Sequence, residues 1–251
     1  MVRKVETTRE SEWTEARIRA ASLELESSTP QEIVQWAVKE FFPDLTLACS
    51  FGGVSGMTLL DMTMKVNPDV PVFYIDTDLL FPETYALRDE ASERYAFSPT
   101  GYRTDVTLAE QAERHGPGLW STDPDLCCEI RKVEPNRRAL AGKRAWIAGL
   151  RRDQGATRKE VGIVEWDAQS DLIKVNPLAN WTEAQVWGYI LTNSVPYNRL
   201  HDQGYPSIGC TFCTRAVKPG EDPRAGRWAG TDKEECGIHV QADGTIGRGA
   251  A

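Results

Sequence analysis

No run of apolar residues in the sequence approaches the ~18 that a membrane-spanning helix requires, so a helical membrane protein is not expected. The opening MVRKVETTRE has basic residues but no apolar stretch behind them, and does not read as a secretory signal peptide. Basic residues are outnumbered, 29 Lys and Arg against 37 Asp and Glu, for a net charge of −8. A chain this acidic is a poor candidate for nucleic-acid binding. No internal repeat and no dividing linker are visible. What remains is ordinary globular usage: 251 residues, 41% hydrophobic and 26% charged, enough for one sizeable α/β domain. Six cysteines without an export signal point to a reducing cytoplasm, where thiols serve more often as ligands or nucleophiles than in disulfides.

Residues 1–28 are polar and carry one weak amphipathic stretch, read as a peripheral helix or arm. From Pro30 the pattern alternates between strand and helix. Thr29 and Pro30 form a helix start, and Thr182 caps a second helix over 182–192. Apolar runs at 45–50, 70–75, 145–149, 161–166 and 172–175 read as strands, and 55–66 and 81–94 as helices. This order predicts an open, mostly parallel sheet with helices on both faces, over residues 29–217. After Gly209 glycine, proline and charge dominate, so 218–251 is expected to be an irregular, mobile C-terminal segment carrying a cysteine.

The cysteines carry the chemistry. Cys127 and Cys128 are adjacent, and Cys210 and Cys213 are separated by two residues. Two short-range pairs that converge make a four-thiolate site suited to zinc or an iron–sulfur cluster. An adjacent pair presents its sulfurs awkwardly to one zinc ion, so the spacing favours a 4Fe-4S cluster, with zinc as the alternative. Buried free thiols are the plainer reading, which suits Cys49 on its strand better than the two pairs. Cys236 stands alone in a Gly- and Pro-rich stretch, either as a nucleophile that moves between partners or as an idle surface thiol. Glu234 and Glu235 would raise its pKa, and a protonated His239 would lower it.

The stretch 50–56, SFGGVSG, follows a strand and opens a helix, an arrangement able to receive an anion, although it is neither a Walker loop nor G-x-G-x-x-G. A plain strand-to-helix turn is the other reading. Asp76 and Thr77 end the next strand, where ligands of open α/β sheets bind, or else serve as a turn and cap. Basic residues gather at Arg151, Arg152, Arg158 and Lys159, and again at Arg215, Lys218, Arg224 and Arg227, which suggests a small-anion site beside the cysteine segments.

Together the stretches IDTDLLFPETY, CCEIRKVEP, RAWIAGLRRDQ, NPLANWTEAQVWGYI, VPYNRLHDQGYPSIGCTFCTRAV, GRW and KEECGIH closely resemble assimilatory adenylyl-sulfate (APS) reductases, of the phosphoadenylyl-sulfate/adenylyl-sulfate reductase family. The resemblance spans about Leu45 to His239. It implies an adenine-nucleotide alpha-hydrolase-like fold, a 4Fe-4S cluster on Cys127, Cys128, Cys210 and Cys213, and Cys236 as the nucleophile. Lys132 matches a lysine between cluster and substrate, and Arg158, Arg224 and Arg227 match substrate-binding arginines. Ser50, Gly52, Gly53, Asp76 and Thr77 match the loops around phosphosulfate and nucleoside. Related pyrophosphatases carry an Asp in the 50–56 loop that this chain lacks, which suits an enzyme that does not split ATP to pyrophosphate. The implied reaction is thioredoxin-dependent reduction of adenosine 5′-phosphosulfate to sulfite and AMP through an S-sulfocysteine, in sulfate assimilation leading to cysteine biosynthesis. The implied partners are thioredoxin or a similar dithiol, with neither nucleic acid nor membrane; a homo-oligomer is compatible. A reductase of the 3′-phosphorylated nucleotide (PAPS) is the nearest alternative, and the four cluster cysteines favour APS. An iron–sulfur sensor that binds nucleotide without turnover would have no use for Cys236.

Overall fold

The computed structural model describes residues 13–239, so the expectations for residues 1–12 of the N-terminal arm and 240–251 of the C-terminal segment lie outside the described residues. Six strands form one sheet: β1 (Leu45–Ala48), β2 (Val72–Ile75), β3 (Thr100–Tyr102), β4 (Ala145–Ile147), β5 (Val164–Asp167) and β6 (Leu172–Val175). Their order is β3-β2-β1-β4-β6-β5. Every neighbouring pair is parallel except the β5–β6 hairpin. The expected open, mostly parallel sheet is therefore met. β3 escapes a reading by pattern because it has three residues and lies at the sheet's edge, where Thr100 and Gly101 are exposed.

Helices α1 (Glu15–Glu24), α2 (Pro30–Phe41), α3 (Val54–Val66), α4 (Pro82–Tyr95), α5 (Leu108–His115), α6 (Leu119–Thr122), α7 (Pro124–Cys128), α8 (Glu134–Leu140) and α9 (Glu183–Thr192) surround the sheet. A π-helical turn, Glu129–Val133, joins α7 to α8. Thr29 and Thr182 each accept from the backbone three residues on, and Glu32 and Gln185 reciprocate, so both expected helix starts carry a complete capping box. Among the described residues no helix is long and apolar enough to cross a membrane.

Side chains alternate along the strands and divide the core in two. In β4, Ala145 and Ile147 join the larger core with Leu45, Leu47, Ile33 and Leu60. Trp146 and Ala148 face the smaller one with Phe73, Leu140 and Leu172. Trp13, Ile18 and Leu25, around α1, are buried in the larger core. β1 has β2 on one side and β4 on the other, so the chain reverses its direction of winding there, and a crevice opens at the carboxyl ends of these strands.

A candidate active site at the carboxyl ends of β1 and β4

That crevice is a cavity of ≈ 370 Å³. Ser50, Gly52 and Gly53, from the loop after β1, form part of its wall, and α3 begins there on Gly53 with no side-chain cap. A Cβ on Gly52 would lie 3.2 Å from the Ile208 carbonyl oxygen, so the loop after β1 packs directly on the chain leading to Cys210. Arg151, at the end of the next strand over, donates to Ser55 Oγ at 2.5 Å and also lines the cavity. This buried arginine anchors the start of α3.

Of the pair after β2, Thr77 reaches the cavity and Asp76 does not. The Asp76 carboxylate accepts from the Tyr85 hydroxyl at 2.7 Å and pairs with Arg103 at 2.9 Å. Burial, together with the Asp76 hydrogen bond and charge, pushes the Tyr85 pKa above its usual range. Asp76 is thus engaged in holding α4 and the loop after β3 to the sheet.

Four cations predicted for the site, Lys132, Arg158, Arg224 and Arg227, line the same cavity. Lys132 stands on the π-helical turn, a distortion that recurs at functional sites. Its burial works against its charge, but the neighbouring Cys210, Cys128 and Cys236 sulfurs outweigh that and raise its pKa. Arg227 donates to Ser207 Oγ at 3.2 Å and lies 4.3 Å from the Trp228 ring centroid. One glycine makes room for it: a side chain on Gly209 would overlap the Arg227 guanidinium.

The structure brings both cysteine pairs together. Cys128, Cys210 and Cys213 share a small apolar core with Leu79 and Trp228, and Cys236 packs against it. Cys127 is near enough that Cys128, Cys213 and Cys210 add to the effect of burial in raising its pKa to about 12. Burial and Cys210 lift Cys213 to about 11. All six cysteines are free thiols. Four buried soft donors with a lysine beside them have the chemistry of a thiolate-held group. Among the described residues no group of three or more His, Cys, Asp or Glu side chains is arranged to hold a metal ion. Cys49 is enclosed in the larger core, and burial raises its pKa to about 12, as for an inert packing thiol.

Cys236 is half-buried and lines the cavity with the four cations. The surrounding charges depart from the sequence expectation. Burial, with the positive charges of Lys174, Arg158 and Arg224, holds His239 well below the usual imidazole pKa, so it is neutral and offers Cys236 no positive charge. Glu235 is buried and paired with Arg158 at 2.7 Å and Arg224 at 3.3 Å. Sequence reasoning missed this pairing, as it missed Trp228 as the aromatic beside Lys132, Arg227 and Lys233. Only the position of Glu235 next to Cys236, and of Trp228 next to Arg227, hinted at them.

The phosphoadenosine phosphosulfate reductase domain family matches residues 44–216. An adenosine 5′-phosphosulfate reductase of Salinibacter ruber is 43% identical over 242 residues, covering 96% of each chain. Adenosine 5′-phosphosulfate reductase 2 of Bacillus subtilis is 46% identical over 211 residues, 84% of this chain and 89% of its own. Among solved structures, phosphoadenylyl-sulfate (PAPS) reductase from Candida auris, in a phosphate complex, superposes with a TM-score of 0.71 at 36% identity, covering 79% of this chain and 96% of its own. FMN adenylyltransferase of Candida glabrata, at 20% identity and a TM-score of 0.53, covers 80% of this chain and 66% of its own, and shares the fold.

Proposed function

The chain belongs to the phosphoadenosine phosphosulfate reductase domain family, and on that footing we propose that it is a sulfonucleotide reductase of sulfate assimilation, converting adenosine 5′-phosphosulfate to sulfite and AMP in the cytoplasm. The choice of APS over PAPS rests on relatives at 43–46% identity named for APS and on the two cysteine pairs. The observation that carries the reading is Cys236 on the wall of a cavity it shares with Lys132, Arg158, Arg224 and Arg227.

The nucleotide binds with its adenosine across the loops after β1 and β2, beside Ser50, Gly52, Gly53 and Thr77, and its phosphosulfate toward the cations. Lys132 and Arg227 orient the anion and stabilise charge on the departing phosphate. The Cys236 thiolate attacks the sulfur, the S–O bond to the phosphate breaks, and AMP leaves with that bonding pair. Cys236 is left as an S-sulfocysteine. A thioredoxin-type dithiol then attacks the Cys236 sulfur and displaces sulfite; its second thiol frees Cys236 and closes the carrier's disulfide. The two electrons that take sulfur from sulfate to sulfite oxidation state thus come from the dithiol. A 4Fe-4S cluster on Cys127, Cys128, Cys210 and Cys213 would supply fixed charge close to Cys236.

Cys236 must meet nucleotide within the cavity and dithiol outside it. Residues from about 218 to 239 therefore act as a flap on the domain formed by 29–217, closing over bound nucleotide and opening to the carrier. The test is sulfite release from APS and from PAPS with thioredoxin as reductant. Turnover of APS that vanishes in Cys236→Ser, with AMP binding kept, supports the reading; turnover that survives the substitution overturns it.

A further inference from the structure

Two anchors bracket Cys236. On its N-terminal side, Arg224 Nη2 donates to the Glu234 carbonyl at 2.6 Å, and the Glu235 carboxylate meets Arg158 in a two-point pair. Glu235 Oε1 accepts from Arg158 Nε at 2.8 Å and from Thr157 Oγ1 at 3.2 Å; Oε2 accepts from Arg158 Nη2 at 2.7 Å and lies 3.3 Å from Arg224 Nη2. On the C-terminal side, Ile238 packs on the smaller core and the His239 ring stacks on Trp146 at 5.6 Å. Between them Gly237 turns the chain at φ +85°.

The ionic anchor is buried, with the Arg158 and Glu235 side chains 12% and 6% exposed. An exposed ion pair would contribute little, whereas removing one partner of a buried, hydrogen-bonded pair leaves a charge stranded. Its placement sets its use. Arg158 and Arg224 line the cavity, while Glu235 and Thr157 do not. The two guanidiniums therefore stand between the carboxylate and the space for the nucleotide. One carboxylate facing two cations leaves a net positive charge toward the cavity.

We propose that Glu235 is a positioning residue: through Arg158 and Arg224 it ties the segment bearing Cys236 to the wall of the anion site, so that the same two arginines serve substrate and nucleophile from opposite sides. The proposal rests on the reading of Cys236 as nucleophile but makes a separate demand. Without the carboxylate, the nucleotide site keeps its cations while Cys236 loses one of its two anchors. Loss of either arginine damages both.

The experiment measures alkylation of Cys236 by iodoacetamide, mapped by peptide mass, alongside AMP affinity in wild type, Glu235→Gln, Glu235→Asp and Arg158→Ala. Glu235→Gln should raise the Cys236 alkylation rate roughly tenfold or more, the scale of a lost buried charge contact. Its AMP affinity should remain at least as tight as wild type. Glu235→Asp should fall between, and Arg158→Ala should show both faster alkylation and weaker AMP binding. An unchanged Cys236 rate in Glu235→Gln, or a loss of AMP affinity equal to that of Arg158→Ala, would overturn the proposal. The enclosed Cys49 reports on folding: if Glu235→Gln exposes it to the reagent, Glu235→Asp decides by the same criteria. Neither readout needs turnover, so failure to release sulfite from APS would count against the reductase reading alone.

Discussion

Thr77 Oγ1 lies 3.3 Å from Cys210 Sγ, joining residues 133 apart in the chain. The contact brings the loop after β2 directly onto the cysteine segment. It is reinforced by Thr211 N donating to the Leu79 carbonyl at 2.8 Å and by the bridge between Leu80 and Cys210. From the other side, Arg131, buried among Gln111, Thr77, Asp78 and Val106, holds the turn that follows Cys127 and Cys128. The loop after β2 and the cysteine segments thus form one structural unit.

Thr77 should accordingly be sensitive to loss of its hydroxyl. Thr77 Oγ1 also accepts from Leu79 N at 3.3 Å, a buried donor that valine cannot satisfy. Thr77→Val should lose about 1–3 kcal/mol of stability in urea unfolding, and Thr77→Ser should retain most of it. Equal stability of the two variants would mean that the hydroxyl is not holding the loop.

The four clustered thiols predict a brown protein after anaerobic purification, with about four irons and four sulfides per chain. Cys128→Ser should lose the iron together with the broad visible absorbance. Stoichiometric zinc in a colourless protein would replace the cluster with a zinc site.

Arg227 lies against Gly209, whose missing side chain leaves space for the guanidinium. Arg227→Ala should weaken APS or AMP binding by roughly 10- to 150-fold, corresponding to about 1.5–3 kcal/mol for a charge-assisted contact. Gly209→Ala should act in the same direction by displacing the guanidinium. Isothermal titration with AMP measures both, and wild-type affinity in both variants would remove Arg227 from the anion site.

His239 gives the C-terminal segment a pH dependence. Its folded pKa is depressed by burial and by Lys174, Arg158 and Arg224, so below about pH 6.5 the unfolded chain takes up a proton that the folded one does not. The stability contributed by the neutral ring is present above that pH and declines as the pH falls. Glu235, whose pKa is held low by Arg158 against the cost of burial, adds a loss in the same direction at lower pH. Thermal unfolding between pH 7.5 and 5.5 should show falling stability, with a shallower slope in His239→Phe. Parallel slopes would mean that the ring is not buried neutral.

The parts of the fold visible in the sequence were those with local signals. Buried parallel strands read as apolar runs at 45–50, 70–75 and 172–175, which hold β1, β2 and β6, and Thr29 and Thr182 announced their helices because capping is a short-range hydrogen-bond pattern. The cysteine spacing likewise pointed to one site; Cys128, Cys210 and Cys213 share a small core, and Cys127 lies close to them. What stayed hidden depends on distant partners. β3 is short and at an edge. Arg131 is buried mid-turn because side chains and carbonyls from three other segments satisfy it, which no periodicity records. Asp76 stands where a nucleotide ligand would be expected, yet Tyr85 and Arg103 take its carboxylate. Glu235 read as a charge that would oppose the thiolate, and only folding reveals the arginines that neutralise it.

The proposed reaction turns on the passage of sulfur through a covalent bond to Cys236. Wild-type protein should be mixed with APS in the absence of any dithiol, quenched, and weighed intact and after digestion. The expected product is a chain heavier by one sulfite unit, the added mass confined to the peptide containing Cys236, absent in Cys236→Ser, and discharged as sulfite when thioredoxin is added. Sulfite formed with no adduct, or an adduct carried on Cys49, would contradict it.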